Sequence, residues 1–191
     1  MDPFPLFDEW YAEAKAAEPA DPNAMALATA DANGRPSCRI VLMKEHGPDG
    51  IVFYTNKHSR KGDELAANAR AAATFHWKST YKQVRFEGLI EDVADARADA
   101  YFASRGRDKQ LAASASDQSR LLDDRQIFLD RIAALEARYP DGDLPRPDHW
   151  GGYRLVADRI EFWEGTQERM HHRQLFERRP DGAWQCGLLY P

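Results

Sequence analysis

Between Ala24 and Glu91 the chain offers five strand-length stretches joined by turn chemistry, with one helix-length segment among them. Neighbouring parallel strands need a crossover of a dozen or more residues, usually helical. The spacing therefore predicts an antiparallel sheet built by meander, as a barrel or sandwich, and argues against a parallel dinucleotide-binding sheet. Ala24–Ala30 reads as a strand, Asn33-Gly34 as a turn and Ser37–Lys44 as the returning strand. Gly47-Pro48-Asp49-Gly50 turns the chain into Ile51–Thr55. Ser59 caps a short helix running to about Asn68, and Ala71–Trp77 and Gln83–Glu91 follow as strands.

The flanks fit an α+β class. Leu6, Phe7, Trp10, Tyr11, Ala14 and Ala17 recur at helical spacing, so Pro5–Glu18 is expected to be an amphipathic helix. Asp95–Arg105 and Asp123–Tyr139 also read as helices, the second with a largely apolar stripe of Ile127, Phe128, Arg131, Ile132 and Leu135. A proline-rich connection, Asp141–Pro147, leads to strands at Tyr153–Trp163, Arg169–Glu177 and Ala183–Leu189, expected to complete the same sheet. One domain over residues 1–191 is expected.

Composition narrows the partners. A net charge of −5 argues against general nucleic-acid affinity, which needs cations gathered on one face. Cys38 and Cys186 are the only cysteines and are far apart, which disfavours a disulfide scaffold or a cysteine-rich zinc site. No apolar run approaches the roughly 20 residues a membrane helix requires, and the N-terminus does not read as a secretory signal. A cytoplasmic protein is expected, with neither nucleic acid nor membrane as partner.

The chemistry lies at strand and helix ends. There is no GxGxxG after a strand, no phosphate loop ending Gly-Lys-Ser/Thr, no HExxH and no GxSxG. Arg39 and Lys44 bracket the apolar run Ile40–Met43, and Ser59-Arg60-Lys61 stands at a helix start, where free N–H groups and two cations suit a phosphate. Gln83, Arg85 and Glu87 make one face of a strand polar. Tyr101, Arg105 and Lys109, at i, i+4 and i+8, share a face if their helix continues. Arg169, His171 and Arg173 alternate along a strand, and such a cationic face would be relieved by an anion. Solvated strand ends and helix faces remain open alternatives for each group. Metal binding is not expected, because the adjacent His171 and His172 would point to opposite faces. The residues alone point to a binder of phosphorylated small molecules.

These pieces also carry a resemblance. Arg39-Ile-Val-Leu-Met-Lys44, Phe53-Tyr-Thr-Asn56, Ser59-Arg-Lys61, Gln83-Val84, Tyr101-Phe-Ala-Ser-Arg105, Gln118-Ser119, Trp150-Gly-Gly152, Ile160-Glu-Phe-Trp163 and Arg169-Met-His-His-Arg173 follow one another over nearly the whole chain. In this order they resemble the pyridoxamine 5′-phosphate oxidase family. The resemblance implies a predominantly antiparallel split β-barrel with peripheral helices: about residues 1–20 as an N-terminal helix and about 148–191 as C-terminal dimerisation and substrate strands. It implies a homodimer with FMN at the subunit interface. Arg60 and Lys61 match residues that hold the FMN phosphate, with Gln118 and Ser119 reaching it from the partner subunit. Arg39, Ile40, Val41, Leu42, Met43, Lys44, Tyr54, Thr55, Gln83, Trp163 and Arg173 match the rest of the flavin site.

The same resemblance makes Lys44, Tyr101 and Arg105 the grip on the substrate phosphate, and sets Arg169 and His171 against the substrate ring as its catalytic pair. It implies oxidation of pyridoxamine 5′-phosphate and pyridoxine 5′-phosphate to pyridoxal 5′-phosphate, by hydride transfer from C4′ to the flavin. Dioxygen then accepts the electrons and leaves as hydrogen peroxide, and the amine substrate also releases ammonia. Two positions depart from the pattern. Lys109 stands where the family usually has a serine, and is expected to join the phosphate grip as a point charge. Leu188 stands where the family usually has an arginine, in Leu188-Leu189-Tyr190-Pro191. The alternatives are a related flavin oxidase acting on a phenazine-like substrate, and a non-catalytic FMN- or vitamer-binding protein.

Overall fold

A computed structural model describes residues 2–140 and 144–191. It begins with α1 (Phe4–Ala17), then β1 (Ala24–Ala30), β2 (Pro36–Leu42), β3 (Glu45–Gly47) and β4 (Gly50–Asn56). After α2 (Arg60–Ala67) come β5 (Arg70–Trp77) and β6 (Lys82–Asp92). Three helices, α3 (Asp95–Ala103), α4 (Arg107–Ala115) and α5 (Arg125–Arg138), precede β7 (Trp150–Glu164), β8 (His172–Arg178) and β9 (Trp184–Leu188).

All nine strands join one antiparallel sheet in the order β2-β1-β5-β6-β7-β4-β3, with β8 and β9 added beside β7. The 15-residue β7 is its spine. One edge pairs with β6 along its length, while the other pairs first with β4 and then with β8. A bulge at Glu87/Gly88 interrupts the β6–β7 ladder, and bulges bend a strand and raise its twist. Only glycine fits there, since a Cβ on Gly88 would lie 2.0 Å from the Val156 carbonyl oxygen. The result is the curled antiparallel sheet with peripheral helices that the spacing predicts.

The core forms where α1 lies against the sheet. Phe4, Phe7, Trp10 and Ala14 are the buried stripe of α1. The Phe7 ring meets Phe75 at 5.4 Å with planes tilted by 57°, and Phe86 at 5.0 Å in the edge-to-face arrangement aromatic quadrupoles prefer. A smaller cluster of Phe102, Leu111, Leu144 and Trp150 joins α3, α4 and β7, and Ile132 and Leu135 of α5 pack against it.

Several boundaries differ from expectation. The helix expected over Asp95–Arg105 stops at Ala103, and a second helix, α4, opens after Gly106, so Tyr101, Arg105 and Lys109 do not lie on one continuous helix. Arg169 and His171 precede β8 instead of alternating along it; Arg169 sits in a turn at φ +60°. Ser59 holds the N-cap position of α2, but its hydroxyl donates to the Asn56 carbonyl at 2.6 Å and makes no cap bond. Lys44 lies just past the end of β2, and β3 was not anticipated. Of the connection expected over Asp141–Pro147, Asp141, Gly142 and Asp143 lie outside the described residues.

Candidate active site

β2, β4, the start of α2, the α3–α4 corner and the segment at Gln118-Ser119 enclose a cleft of about 800 Å³. Among the described residues six cations line it, Arg39, Lys44, Arg60, Lys61, Arg105 and Lys109, and no carboxylate does. Like charges brought together in a partly desolvated cleft repel, so the arrangement is complementary to anions.

One end is built on β2, β4 and α2. Lys61 is buried, and its ammonium donates to Thr55 Oγ1 and Ser59 Oγ, both at 2.9 Å, and to Gln118 Oε1 at 2.6 Å. Burial, with the Arg39 charge second, lowers its pKa to about 8. Arg39 donates through Nη1 to Thr29 Oγ1 at 2.6 Å and to the Leu27 carbonyl at 3.2 Å. Arg60 is half-exposed at the helix start and, among the described residues, is anchored through Nε alone.

The other end is the α3–α4 corner. Arg146 fixes α3 by donating to Asp95 and Asp99 at 2.9 and 2.5 Å and to the Trp150 carbonyl at 2.6 Å. On the opposite side Arg97 pairs with Glu45, which also accepts from the Tyr54 hydroxyl at 3.2 Å. Burial, then Glu45, pushes the Tyr54 phenol up to about 12, so it stays a donor. Gln110, itself buried, closes the corner by donating to the Phe102 and Ala103 carbonyls. Tyr54, Tyr101 and Trp150 stack as a wall, and the Arg105 guanidinium lies 5.0 Å over the Trp150 ring. Burial lowers the Arg105 pKa, and its buried Nη1 has no hydrogen-bond partner among the described residues. A buried donor left unpaired is costly, and a phosphate oxygen would satisfy it.

The cleft therefore gathers Arg39, Ile40, Val41, Leu42, Lys44, Tyr54, Thr55, Arg60, Lys61, Tyr101, Arg105, Lys109, Gln118 and Ser119. Gln118 and Ser119 line the same cleft as Lys61 within one chain, and Gln118 Oε1 accepts from the Lys61 ammonium. Met43 does not reach the cleft; its side chain is packed in the main core.

Gln83, Trp163, Arg169, His171 and Arg173 also fall outside the cleft lining. Gln83, Trp163 and Arg173 are register partners across β6, β7 and β8, so they form a row on one face of the sheet. Arg173 donates through Nε to buried Glu161 at 2.8 Å and through Nη1 to the Tyr190 carbonyl at 2.9 Å. His171 packs on Trp163 at 4.7 Å, and its Nδ1 accepts from the Thr166 amide at 3.2 Å. That bond puts the proton of the neutral ring on Nε2. His171, Arg173 and Leu188 border a smaller cavity of about 220 Å³. Sequence reasoning missed Glu64, Glu45 and Gln110; each acts through partners distant in sequence, and no motif marks them.

Comparison with known proteins fits this geometry. The family model for pyridoxamine 5′-phosphate oxidase matches residues 12–139, and the model for the pyridoxine 5′-phosphate oxidase C-terminal dimerisation region matches residues 150–191. A pyridoxine/pyridoxamine 5′-phosphate oxidase of Novosphingobium aromaticivorans is 58% identical over 100% of this chain and 94% of its own length. One from Zymomonas mobilis is 52% identical over 100% and 99%. The crystal structure of PhzG from Burkholderia lata, in complex with tetrahydrophenazine-1-carboxylic acid, superposes with a TM-score of 0.94 at 33% identity, over 100% of this chain and 93% of that one. With two models that together reach from Ala12 to Pro191 and full-length relatives above 50% identity, the chain belongs to the pyridoxamine 5′-phosphate oxidase family.

Proposed function

We propose that this chain oxidises pyridoxamine 5′-phosphate and pyridoxine 5′-phosphate to pyridoxal 5′-phosphate, as a homodimer with FMN as cofactor and dioxygen as the final acceptor. The observation that carries the reading is the gathering of six cations, with no carboxylate among the described residues, along one cleft. Arg39, Arg60 and Lys61 suit the FMN phosphate. Lys44, Arg105 and Lys109, with the Tyr101 hydroxyl, suit the substrate phosphate. Two dianions in one cleft require this much fixed charge.

The residues present fit FMN. The Nη groups of Arg60, without a partner among the described residues, offer charge-assisted donors to a phosphate, and the buried Lys61 ammonium, whose three N–H groups go to Thr55, Ser59 and Gln118, adds positive charge beside them. Ile40, Val41 and Leu42 supply an apolar wall. Bound FMN would supply the two-electron acceptor for the hydride leaving C4′ of the substrate. The chain's part is to hold the substrate: Arg105 and Lys109 fix its phosphate, and the Tyr54–Tyr101–Trp150 stack walls the cleft beside it.

Gln83, Trp163, Arg169, His171 and Arg173 complete the site in this reading from the second subunit. The match of residues 150–191 to a dimerisation region supports it. His171 would donate from Nε2 to the substrate ring, held in that tautomer by the Thr166 amide, and Arg169 would add charge beside it. For the amine substrate, water and dioxygen enter, and aldehyde, ammonia and hydrogen peroxide leave. The alcohol gives aldehyde and peroxide without water. A phenazine-like substrate, as bound by PhzG, is not favoured, because a lone carboxylate would leave the cations of the Arg105 corner undercompensated.

The test is spectroscopic. The purified chain should take up FMN and turn yellow, and pyridoxamine 5′-phosphate added without oxygen should bleach it. A yellow protein that does not bleach would refute the substrate assignment, and a chain unable to take up FMN would refute the whole reading.

A further inference from the structure

A buried carboxylate lies beneath the first cation group. Glu64, on the first turns of α2, is 6% exposed and gathers donors from three elements. Its Oε1 accepts from Arg60 Nε at 2.8 Å. Its Oε2 accepts from the Thr29 hydroxyl of β1, from Ser37 Oγ of β2 at 2.5 Å and from Arg39 Nη2 at 3.3 Å. Burial would raise the pKa of this carboxyl, but the bonds from Ser37, Thr29, Arg60 and Arg39 outweigh burial and hold it at about 2. At neutral pH it is therefore an anion.

Its consequence is orientational. Using only Nε of Arg60, Glu64 leaves both Nη groups of that fork without a protein partner among the described residues, on a side chain that lines the cleft. Using Nη2 of Arg39, it sets that guanidinium against β1 while the side chain still lines the cleft. Three cations over one carboxylate leave two positive charges, which matches a phosphate dianion. Without the anion, Arg39, Arg60 and Lys61 would repel one another and spread.

We propose that Glu64 is a positioning residue for the phosphate grip, holding Arg39 and Arg60 in the geometry that recognises the phosphate end of FMN. This rests on the FMN reading. It differs from a plain charge effect in sign. Removing a negative charge beside a phosphate site should tighten dianion binding, whereas losing the organiser should weaken it. It differs from a plain structural role in scope, because riboflavin shares the ring system but lacks the phosphate.

The experiment measures dissociation constants of the apoprotein for FMN and for riboflavin, by quenching of flavin fluorescence, in the wild type, Glu64→Gln and Thr29→Val. Glu64→Gln should weaken FMN by about tenfold or more, the scale of one lost charge-assisted bond. Riboflavin affinity should stay within about twofold of wild type, a range well below that scale. Thr29→Val keeps the carboxylate but removes one of the two Arg39 Nη1 acceptors and one Glu64 donor, and should weaken FMN in the same selective way by a smaller factor. FMN affinity unchanged or tightened in Glu64→Gln, or equal losses for both flavins in both variants, would overturn the inference. A wild-type chain that binds neither flavin would remove the functional reading and this inference with it. Wild-type FMN binding with an indifferent Glu64→Gln would remove this inference alone.

Discussion

The rings of Tyr54 and Tyr101 stack with centroids 4.1 Å apart and planes 20° from parallel. Tyr54 belongs to the sheet and Tyr101 to α3, so the stack joins the wall assigned to the flavin to the corner assigned to the substrate phosphate. The Arg97–Glu45–Tyr54 contacts and the Arg146 clamp hold α3 at that distance.

Lys109 is expected to act through charge. Replacing it by serine should raise KM for pyridoxamine 5′-phosphate several-fold at low ionic strength, with kcat little changed. The difference should shrink in salt, because an exposed cation is screened. KM measured at two salt concentrations checks this, and equal KM values at low salt would exclude Lys109 from the grip.

The Lys61 ammonium gives a pH signature. Its pKa is lowered from 10.5 to about 8 by burial and then by Arg39. Between those values the unfolded chain carries the proton and the folded chain does not. The charged form thus opposes folding below about 8, and that penalty is relieved as pH rises through the window. A phosphate dianion favours the charged form, so FMN should bind best below about pH 8 and lose up to about tenfold per pH unit above it. Titrations from pH 7 to 9.5 should show this slope in the wild type and none in Lys61→Met.

His171 is expected to serve turnover and not cofactor uptake. His171→Leu removes the Nε2 donor and should lower kcat by about a hundredfold. Flavin content after purification should match wild type. Loss of FMN together with activity would show that the ring is needed for the flavin site instead.

Gly62 is fixed by backbone contact. A Cβ there would lie 1.9 Å from the Lys57 carbonyl oxygen, so Gly62→Ala must displace the start of α2. Destabilisation of about 3 kcal/mol is expected. It should lower the Tm of the apoprotein and, because Arg60 and Lys61 sit on the same turn, weaken FMN binding. An unchanged Tm would show that the turn yields easily.

The sequence alone determined the class of sheet, because strand-length apolar runs separated by Asn33-Gly34 and Gly47–Gly50 chemistry admit only antiparallel neighbours. It also determined the cleft residues carried on motifs: Arg39, Lys44, Arg60, Lys61, Tyr101 and Arg105 all line the cleft. It did not determine where α3 ends, because the break at Ser104–Gly106 is held by Gln110 reaching back to the Phe102 and Ala103 carbonyls, a contact without a local signature. Nor did it determine that Gln118 lies against Lys61, since their bond spans 57 positions. Glu64 reads as one more charged helix residue until β1 and β2 bring Thr29, Ser37 and Arg39 against it. Local propensity and spacing act over a few residues, whereas burial, paired charge and the orientation of a guanidinium are set by groups that only the folded sheet brings within reach.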